Sequence, residues 1–211
     1  MSEFLRFTAV EKKLRAIREG NLPGSAAQYL MAPLGRQQTR IDQLDHKSIR
    51  HAAVLMLLMN SDDRPKLILT RRTEYAGVHS GQISLPGGKM EDDDPGFLQT
   101  ALRETQEEIG VAPGRVNVMG SLSELYIPPS NFLVRPFIGT TRKIDRFVME
   151  EAEVQEVIAV DLNVLFDPAT AGEYYVQTHG YRLKVPAYKV DNHIIWGATA
   201  MMISELRALL Q

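Results

Sequence analysis

The segment 85–110 constrains the fold more than any other part of the chain, because both ends of its helix are marked. Asp94 followed by Pro95 predicts a helix start, since aspartate accepts the free amides of a first turn and proline suits the first helical position. Gly110 predicts the end, since glycine readily adopts the left-handed conformation that closes many helices. The sequence therefore predicts a helix over Pro95–Ile109.

The two faces of this predicted helix differ in character. At about 100 degrees per residue, an apolar stripe forms that consists of Leu98, Leu102, Thr105 and Ile109. The carboxylates of Glu104, Glu107 and Glu108 fall on the opposite side, where each like-charge pair one turn apart costs about 0.2–0.5 kcal/mol. Arg103 offsets part of this repulsion through Glu107, its i+4 neighbour. Glu104 and Glu108 are then left without an evident local cation.

Two interpretations of the acidic face are open. It is either a solvated helix face or a site for a hard cation such as Mg²⁺ or Mn²⁺, which prefers several oxygen ligands. The preceding pair Gly87–Gly88 favours the cation site, because adjacent glycines let the backbone approach a phosphate or present a carbonyl to a metal. A simple tight turn is the alternative explanation of the glycine pair.

These residues resemble the Nudix box, whose pattern is G-x5-E-x7-R-E-U-x-E-E-x-G-U with U apolar. The matching positions are Gly88, Arg103, Glu104, Glu107, Glu108 and Gly110. Two positions depart from the pattern. Asp94 stands where the box has its first glutamate, with one extra residue before Arg103, and Thr105 replaces a bulky aliphatic residue.

The resemblance implies a hydrolase, dependent on magnesium or manganese, that splits a nucleoside diphosphate linked to another group. It implies Glu104 and Glu108 as primary metal ligands, with Glu107 completing the cluster in some states and Gly88 as a further ligand. Arg103 is expected to orient the carboxylates. The candidates for the general base, in order of preference, are Glu104, Glu153 and Glu156.

The segment before the box is similar to that of the coenzyme A diphosphatases within this family. Their pattern reads approximately L-L-T-x-R-S-x3-R-x3-G-x3-F-P-G-G, and the matching positions are Arg72, Gly81, Pro86, Gly87 and Gly88. This resemblance implies coenzyme A or a derivative as substrate, cleaved to 3′,5′-ADP and 4′-phosphopantetheine or its acyl form. Gly77 stands where that branch has a second arginine, and Leu85 replaces phenylalanine. Because of these departures, ADP-ribose, dinucleotides and nucleoside triphosphates stay open as substrates.

The basic residues Arg71, Arg72 and Lys89 are candidate contacts to substrate phosphates. For the two arginines, a solvated strand end is the alternative. His79 and His193 are not expected to bind metal, since lone histidines are more often structural or surface residues.

Apolar runs and turn residues predict the remaining elements. Strands are predicted at Ala52–Leu58, Lys66–Thr70, Val116–Leu122, Phe132–Gly139, Val154–Val160, Tyr181–Val190 and Ile194–Trp196. Further helices are predicted at Phe7–Gly20, with Thr8 and Glu11 as a capping box, at Ser25–Met31 and at Ala198–Leu210. This order predicts an α/β fold with a mixed (α+β) sheet, in the three-layer α/β/α sandwich that the Nudix resemblance implies.

We expect one domain over residues 1–211, in which residues 1–46 form an amino-terminal helical extension. The extension either covers the sheet or mediates a homodimer. A formal net charge of −2 disfavours nucleic-acid binding, and the apolar runs are too short to cross a membrane. The absence of cysteine excludes disulfides and thiolate chemistry, and the cytoplasm is the expected compartment.

Two other classes compete with an enzyme that acts on a nucleotide-containing small molecule. A non-catalytic nucleotide-sensing module of the same family is disfavoured, because the R-E-x-x-E-E core is complete. A structural α/β protein with an exposed acidic helix is the third alternative.

Overall fold

Strand β1 (Arg50–Ser61) is the centre of the main sheet, and its apolar run is buried on both faces as the sequence predicts. The structure is a computed structural model that describes residues 4–17, 21–45, 48–73, 81–178 and 180–211. Strand β2 (Arg64–Arg72) pairs antiparallel with β1 through a tight turn at Asp62 and Asp63, both of which have positive φ. Such turns suit hairpins because their twist matches that of the strands.

The main sheet is mixed. Its other strands, within the described residues, are β3 (Ile83–Ser84), β4 (Gly87–Lys89), β5 (Asn117–Ser121), β6 (Leu125–Ile127), β7 (Phe132–Thr141) and β8 (Val154–Asp161). The order along the sheet is β3-β2-β1-β7-β5, while β4 pairs with β1, β6 with β7 and β8 with β2. Strands β1 and β7 are parallel, and the other pairs are antiparallel.

Helices cover both faces of this sheet. They are α1 (Phe7–Leu14), α2 (Gly24–Gln28), α3 (Phe97–Ile109), α4 (Leu162–Leu165) and α5 (Gly197–Leu210). Because side chains alternate along a strand, Met56 and Leu58 join the core that contains α1 and α5. Leu55 and Leu57 join the core that contains α3. This arrangement confirms the predicted three-layer α/β/α sandwich with a mixed sheet.

A second, three-stranded antiparallel sheet lies beside α5, in the order β11-β10-β9. Its strands are β9 (Ala171–Thr178), β10 (Tyr181–Val190) and β11 (His193–Trp196). Tyr188, Val190 and Ile195 pack into the core that contains α5. Strand β9 escaped the sequence prediction because only Val176 of its described side chains is buried, so no apolar alternation marks it.

The amino-terminal helix α1 covers the sheet with the buried residues Phe7, Val10 and Leu14. It ends at Leu14, and residues 18–20 of the longer predicted helix lie outside the described residues. The predicted capping box is wrong: Arg6, the residue before the helix, makes no side-chain cap, and the amide of Thr8 donates instead to the carboxylate of Asp63 at 3.1 Å. The cap is therefore tertiary, supplied by the β1–β2 turn.

Helix α3 begins at Phe97 rather than at Pro95, so the predicted start is also wrong. Gly96 precedes its first turn without a side-chain cap. Asp94 accepts a hydrogen bond from Thr100 and two from Arg103, so side chains rather than helix amides occupy its carboxylate. No helix among the described residues is both long enough and apolar enough to cross a membrane.

Candidate active site

Arg103 is the centre of the polar cluster on α3. Its Nε donates to Asp94 Oδ1 at 2.9 Å, and Nη2 donates to Asp94 Oδ2 at 2.9 Å. Its Nη1 donates to Glu104 Oε1 at 3.1 Å and to Glu107 Oε2 at 2.9 Å. The hydrogen bonds to Arg103 hold the pKa of the Asp94 carboxyl well below its usual range, and the pKa of Arg103 is raised in return.

The pairing of Arg103 with Glu107 is as expected, but the expectation that Glu104 lacks a local cation is wrong, since one guanidinium serves three carboxylates. Five N–H donors in a planar fork allow this geometry, which a lysine lacks. Nη2 also donates to the backbone oxygen of Lys89 at 3.3 Å, which ties α3 to strand β4. Arg103 thus lies where a residue that orients the carboxylates is expected.

Glu108 departs most from the sequence expectation, because it points into the protein rather than towards solvent. Its side chain is only 2% exposed. The amide of Gly87 donates to its Oε2 at 3.0 Å, and Nη2 of Arg72 lies 3.7 Å from its Oε1. Burial raises the pKa of the Glu108 carboxyl to about 7; the Gly87 amide and Arg72 oppose this rise, and the charges of Glu104 and Glu153 add to it.

The faces of α3 are rotated relative to the prediction. Its buried residues are Thr100, Ala101, Thr105, Glu108 and Ile109, whereas Leu98 and Leu102 are only half-buried. Thr105 satisfies its hydroxyl by donating to the carbonyl of Ala101 at 2.6 Å, which explains how a polar residue fits the buried stripe. The helix end at Gly110 is as predicted, with φ of 73°.

The glycine pair is explained by close packing around these carboxylates. A Cβ at Gly87 would lie 2.5 Å from Val54 Cα, and its φ of +143° also favours glycine. A Cβ at Gly88 would lie 2.5 Å from the carboxylate carbon of Glu104. The backbone of Gly87 therefore packs against β1, and that of Gly88 packs against the Glu104 carboxylate. A simple tight turn requires neither contact.

Three carboxylates share this region. Burial is the main cause that raises the pKa of Glu104; Arg103 opposes it, and the charges of Glu107 and Glu153 add to it. Glu153 raises the pKa of Glu108 as well, although its own side chain is exposed. Glu104, Glu108 and Glu153 therefore form a region of excess negative charge, while Glu107 is turned towards solvent and Arg103.

The candidate phosphate contacts lie at different distances from these carboxylates. Arg72 is beside Glu108, and Arg71 Nη1 lies 3.9 Å from Glu156 Oε2. The Nε2 of His193 lies 3.8 Å from Glu156 Oε1, so Glu156 has two basic neighbours. Lys89 is exposed on β4. Gly77 and His79 lie outside the described residues.

Hard oxygen ligands and surplus negative charge are what a divalent cation requires. Glu104 and Glu108 supply both: burial is the main cause that raises the pKa of each carboxyl, and the charges of neighbouring carboxylates add to the rise. Among the described residues, however, no three His, Asp or Glu side chains are arranged as a ready-made metal site. Arg103 instead forms ion pairs with the carboxylates of Glu104 and Glu107. The oxygen ligands of the region suit such an ion. In this side-chain arrangement, Arg103 makes the contacts to Glu104 and Glu107 that the ion would make.

Three contacts of this region were missed from the sequence: Arg103 with Asp94, Arg72 with Glu108, and His193 with Glu156. Only the first had a local signal, the acidic residue where the box has its first glutamate. The other two join residues that are distant in the chain and lie on different elements, β2 with α3 and β8 with β11, which local patterns do not report.

Comparison with known proteins agrees with this arrangement. Residues 49–176 match the family model described as the NUDIX domain. The chain is 33% identical over 162 residues to a protein of Photorhabdus laumondii named "Uncharacterized Nudix hydrolase NudL", covering 77% of this chain and 86% of that protein. It is 30% identical over 188 residues to a protein of the same name from Yersinia pestis, covering 85% and 94%.

The fold has a solved counterpart in a MutT/nudix family protein from Enterococcus faecalis, with a TM-score of 0.54 and 14% identity, over 81% of this chain and 63% of that one. The chain belongs to the Nudix family. It is a hydrolase of diphosphate bonds, and enzymes of this family generally use divalent metal ions.

Proposed function

We propose that this Nudix hydrolase cleaves the diphosphate of coenzyme A or its derivatives, and that Mg²⁺ or Mn²⁺ supports the reaction. The observation that carries the proposal is that Glu104, which is partly buried, and Glu108, which is almost fully buried, both lie against the Gly87–Gly88 turn. The choice of coenzyme A rests on the resemblance of segment 68–88 to that branch of the family. The NudL relatives carry no substrate in their names.

Glu104 and Glu108 would hold the divalent ion, and the backbone of Gly88 would be a further ligand. Glu107 would join them when it separates from Arg103. Bound there, the ion would neutralise the charge of the diphosphate and stabilise its transition state. Arg103 keeps the acidic side chains of α3 oriented through its hydrogen bonds to Asp94 and Glu104.

Arg72 is the best placed of the three phosphate contacts, because its distance of 3.7 Å from Glu108 is too long for a hydrogen bond. Its guanidinium is therefore available to turn towards a phosphate. Arg71 lies beside it on β2 but faces Glu156, and Lys89 follows the glycine pair. Both supply longer-range positive charge to an anionic substrate.

In the reaction, a water oxygen attacks one phosphorus and the bond from that phosphorus to the bridging oxygen breaks. The proton of the water passes to a carboxylate, and the leaving phosphate takes the bridging oxygen with its electron pair. Coenzyme A thereby yields 3′,5′-ADP and 4′-phosphopantetheine. Among the candidate bases, the geometry supports Glu153, since Glu104 is held by Arg103 and Glu156 is paired with Arg71 and His193.

Chromatography of coenzyme A incubated with the enzyme and Mg²⁺ tests the substrate. Appearance of 3′,5′-ADP and 4′-phosphopantetheine in equal amounts is expected. ADP-ribose, a dinucleotide and a nucleoside triphosphate form the comparison panel, scored by kcat/KM. A higher kcat/KM for one of these would replace coenzyme A as the substrate and leave the reaction class intact.

The assignment of the base is tested with Glu153→Gln and Glu156→Gln. We expect Glu153→Gln to lower kcat by about 100-fold or more and to remove the acidic limb of the pH–rate profile. The exposed Glu151→Gln is the matched control, with unchanged kcat. A larger loss in Glu156→Gln than in Glu153→Gln would reverse the assignment.

A further inference from the structure

The side chain of the proposed base Glu153 is not held in place by contacts of its own. It is exposed, and it makes no hydrogen bond or ion pair with any other residue that the structure describes. Its charge nevertheless raises the pKa of Glu104 and Glu108, so it lies in their region. A displacement of a reacting group by about 1 Å can cost about 100-fold in rate. The distance of Glu153 from those carboxylates therefore depends on what fixes its backbone.

Helix α3 holds one side of the turn 150–154, which carries Glu153. The amide of Glu150 donates to the carbonyl of Glu108 at 3.0 Å. The carbonyl of Glu150 in turn accepts from the amide of Glu153 at 3.0 Å and from that of Val154 at 2.8 Å. Two successive hydrogen bonds thus connect the backbone of the proposed base to the backbone of a proposed metal ligand.

Thr73, the residue after strand β2, holds the other side of this turn. Its amide donates to the carbonyl of Glu153 at 3.0 Å, and its hydroxyl donates to the carbonyl of Ala152 at 2.9 Å. The second bond is made by a side chain, so it depends on the residue type at this position. Arg72, the best placed of the proposed phosphate contacts, immediately precedes Thr73. Thr73 therefore links the turn that carries the base to the strand that carries this arginine.

A β-bulge between β2 and β8 sets this pairing. The register of the two strands shifts by one residue just before Arg72, which pairs with Val154. In an unbroken register Thr73 would be opposite Val154, but the shift brings it to the carbonyl of Glu153 instead. β-bulges re-aim side chains and are frequent next to active sites.

We propose that Thr73 is a positioning residue for the general base, and that its hydroxyl bond to Ala152 keeps Glu153 at its distance from Glu104 and Glu108. This inference rests on the proposed function, in which Glu153 takes the proton of the attacking water. In this role Thr73 contacts neither the substrate nor the ion. Loss of its hydroxyl should therefore slow turnover and leave substrate binding unchanged.

Thr73→Val tests the proposal, because valine keeps the approximate shape of the side chain and lacks the hydroxyl. On the diphosphate with the highest kcat/KM, kcat should fall by about tenfold with KM unchanged. Thr73→Ser retains a hydroxyl and should keep most of the wild-type kcat. The matched control is Thr170→Val, which removes a hydroxyl that donates to the carbonyl of Leu165 at 2.9 Å in the turn before β9. Wild-type kcat in Thr73→Val, or equal losses in Thr73→Val and Thr73→Ser, would overturn the proposal.

A double variant shows whether Thr73 acts through Glu153. Adding Thr73→Val to Glu153→Gln should lower kcat no further, since the carboxylate that Thr73 positions is already gone. A second loss of about tenfold in the double variant would mean that the two residues act independently, and would contradict the positioning role.

Amide hydrogen exchange, measured without substrate or metal, reports the turn independently of activity. In Thr73→Val the amide of Glu153 should exchange severalfold faster than in the wild type, and Thr73→Ser should restore its protection. Failure of this inference is distinct from failure of the proposed function. Unchanged exchange and kcat in Thr73→Val, beside an impaired Glu153→Gln, would overturn the role of Thr73 alone. Wild-type kcat in Glu153→Gln would overturn the assignment of the base itself.

Discussion

Two glutamates are almost completely buried on opposite faces of the main sheet, and their surroundings differ. Glu205 on α5 is 0% exposed, and its carboxylate accepts three hydrogen bonds. They come from the amide of Gly24 at 3.1 Å, the amide of Ser123 at 3.2 Å and Nε2 of Gln28 at 2.8 Å. Glu108 on α3 accepts one backbone hydrogen bond, and Arg72 stays at 3.7 Å.

The difference separates a carboxylate whose hydrogen bonds hold the fold together from one with unused acceptor capacity, which is what the proposed metal ligand needs. Both oxygens of Glu205 are occupied by the amino-terminal segment and the loop after β5, so its charge is used to hold those parts of the fold together. Glu108 is buried beside Glu104 with acceptor capacity left over, which costs free energy in the absence of a cation. The proposed binding of a divalent ion would offset this cost.

The largest expected effect is on turnover. Glu108→Gln should lower kcat on the diphosphate substrate by about 1,000-fold, because the proposed ion loses a charged ligand. Glu104→Gln should act similarly, and the exposed Glu151→Gln is the control. Glu205→Gln should retain most of the kcat of the wild type once the folded fraction is taken into account. Wild-type kcat in both α3 variants would remove these residues from the site.

The second effect is on the free energy of unfolding, where we expect the larger loss at Glu205 and the smaller at Glu108. Glu205→Gln should lower the free energy of unfolding by about 3–5 kcal/mol, because a buried carboxylate is replaced by an amide whose NH₂ faces other donors. Urea denaturation measures it. Glu108→Gln should lose little or nothing in the same experiment. A loss under 1 kcal/mol in Glu205→Gln would mean that the two carboxylates are equivalent.

The third effect is the pH dependence of stability without metal. The pKa of Glu108 is about 7 in the folded protein and near its ordinary value of 4.5 when unfolded. A raised pKa means that the folded state binds the proton more tightly, so this stabilisation is complete below pH 4.5 and is lost as the pH rises through 7. The shift corresponds to about 3 kcal/mol.

Wild type and Glu108→Gln should therefore diverge between pH 5 and pH 8, with the variant relatively more stable at the higher pH. The lowered pKa of Asp94 acts in the opposite direction but is common to both proteins. Urea denaturation in EDTA at several pH values isolates the difference. Parallel pH profiles would show that the Glu108 proton is not linked to folding.

The smallest expected effect comes from the ion itself. At pH 8, Mg²⁺ at ten times its dissociation constant should stabilise the wild type by about 1.4 kcal/mol. Glu108→Gln should lose this response and Glu205→Gln should keep it. Thermal unfolding with and without EDTA measures it. A stabilisation that survives Glu108→Gln would place the ion elsewhere.

Local sequence patterns predicted much of the fold and the composition of the candidate site. The bounds of β10, the burial of β1 on both faces and the end of α3 at Gly110 follow from apolar runs and from glycine, which act within a few residues. The same local reasoning brought Arg103, Glu104, Glu107 and Glu108 onto one helix. Their roles in binding and catalysis stay predictions.

Tertiary structure decided what each of these residues faces. The burial of Glu108 depends on α3 packing against β1 beside the Gly87 amide. The pairing of Arg71 with Glu156 depends on the register of β2 with β8, which sets distant residues opposite each other. Side-chain periodicity along one element cannot report such pairs, because they are fixed by the packing and hydrogen bonding of elements far apart in the chain. The sequence by itself determined which groups are present, and only the folded chain decided which of them are left without sufficient partners.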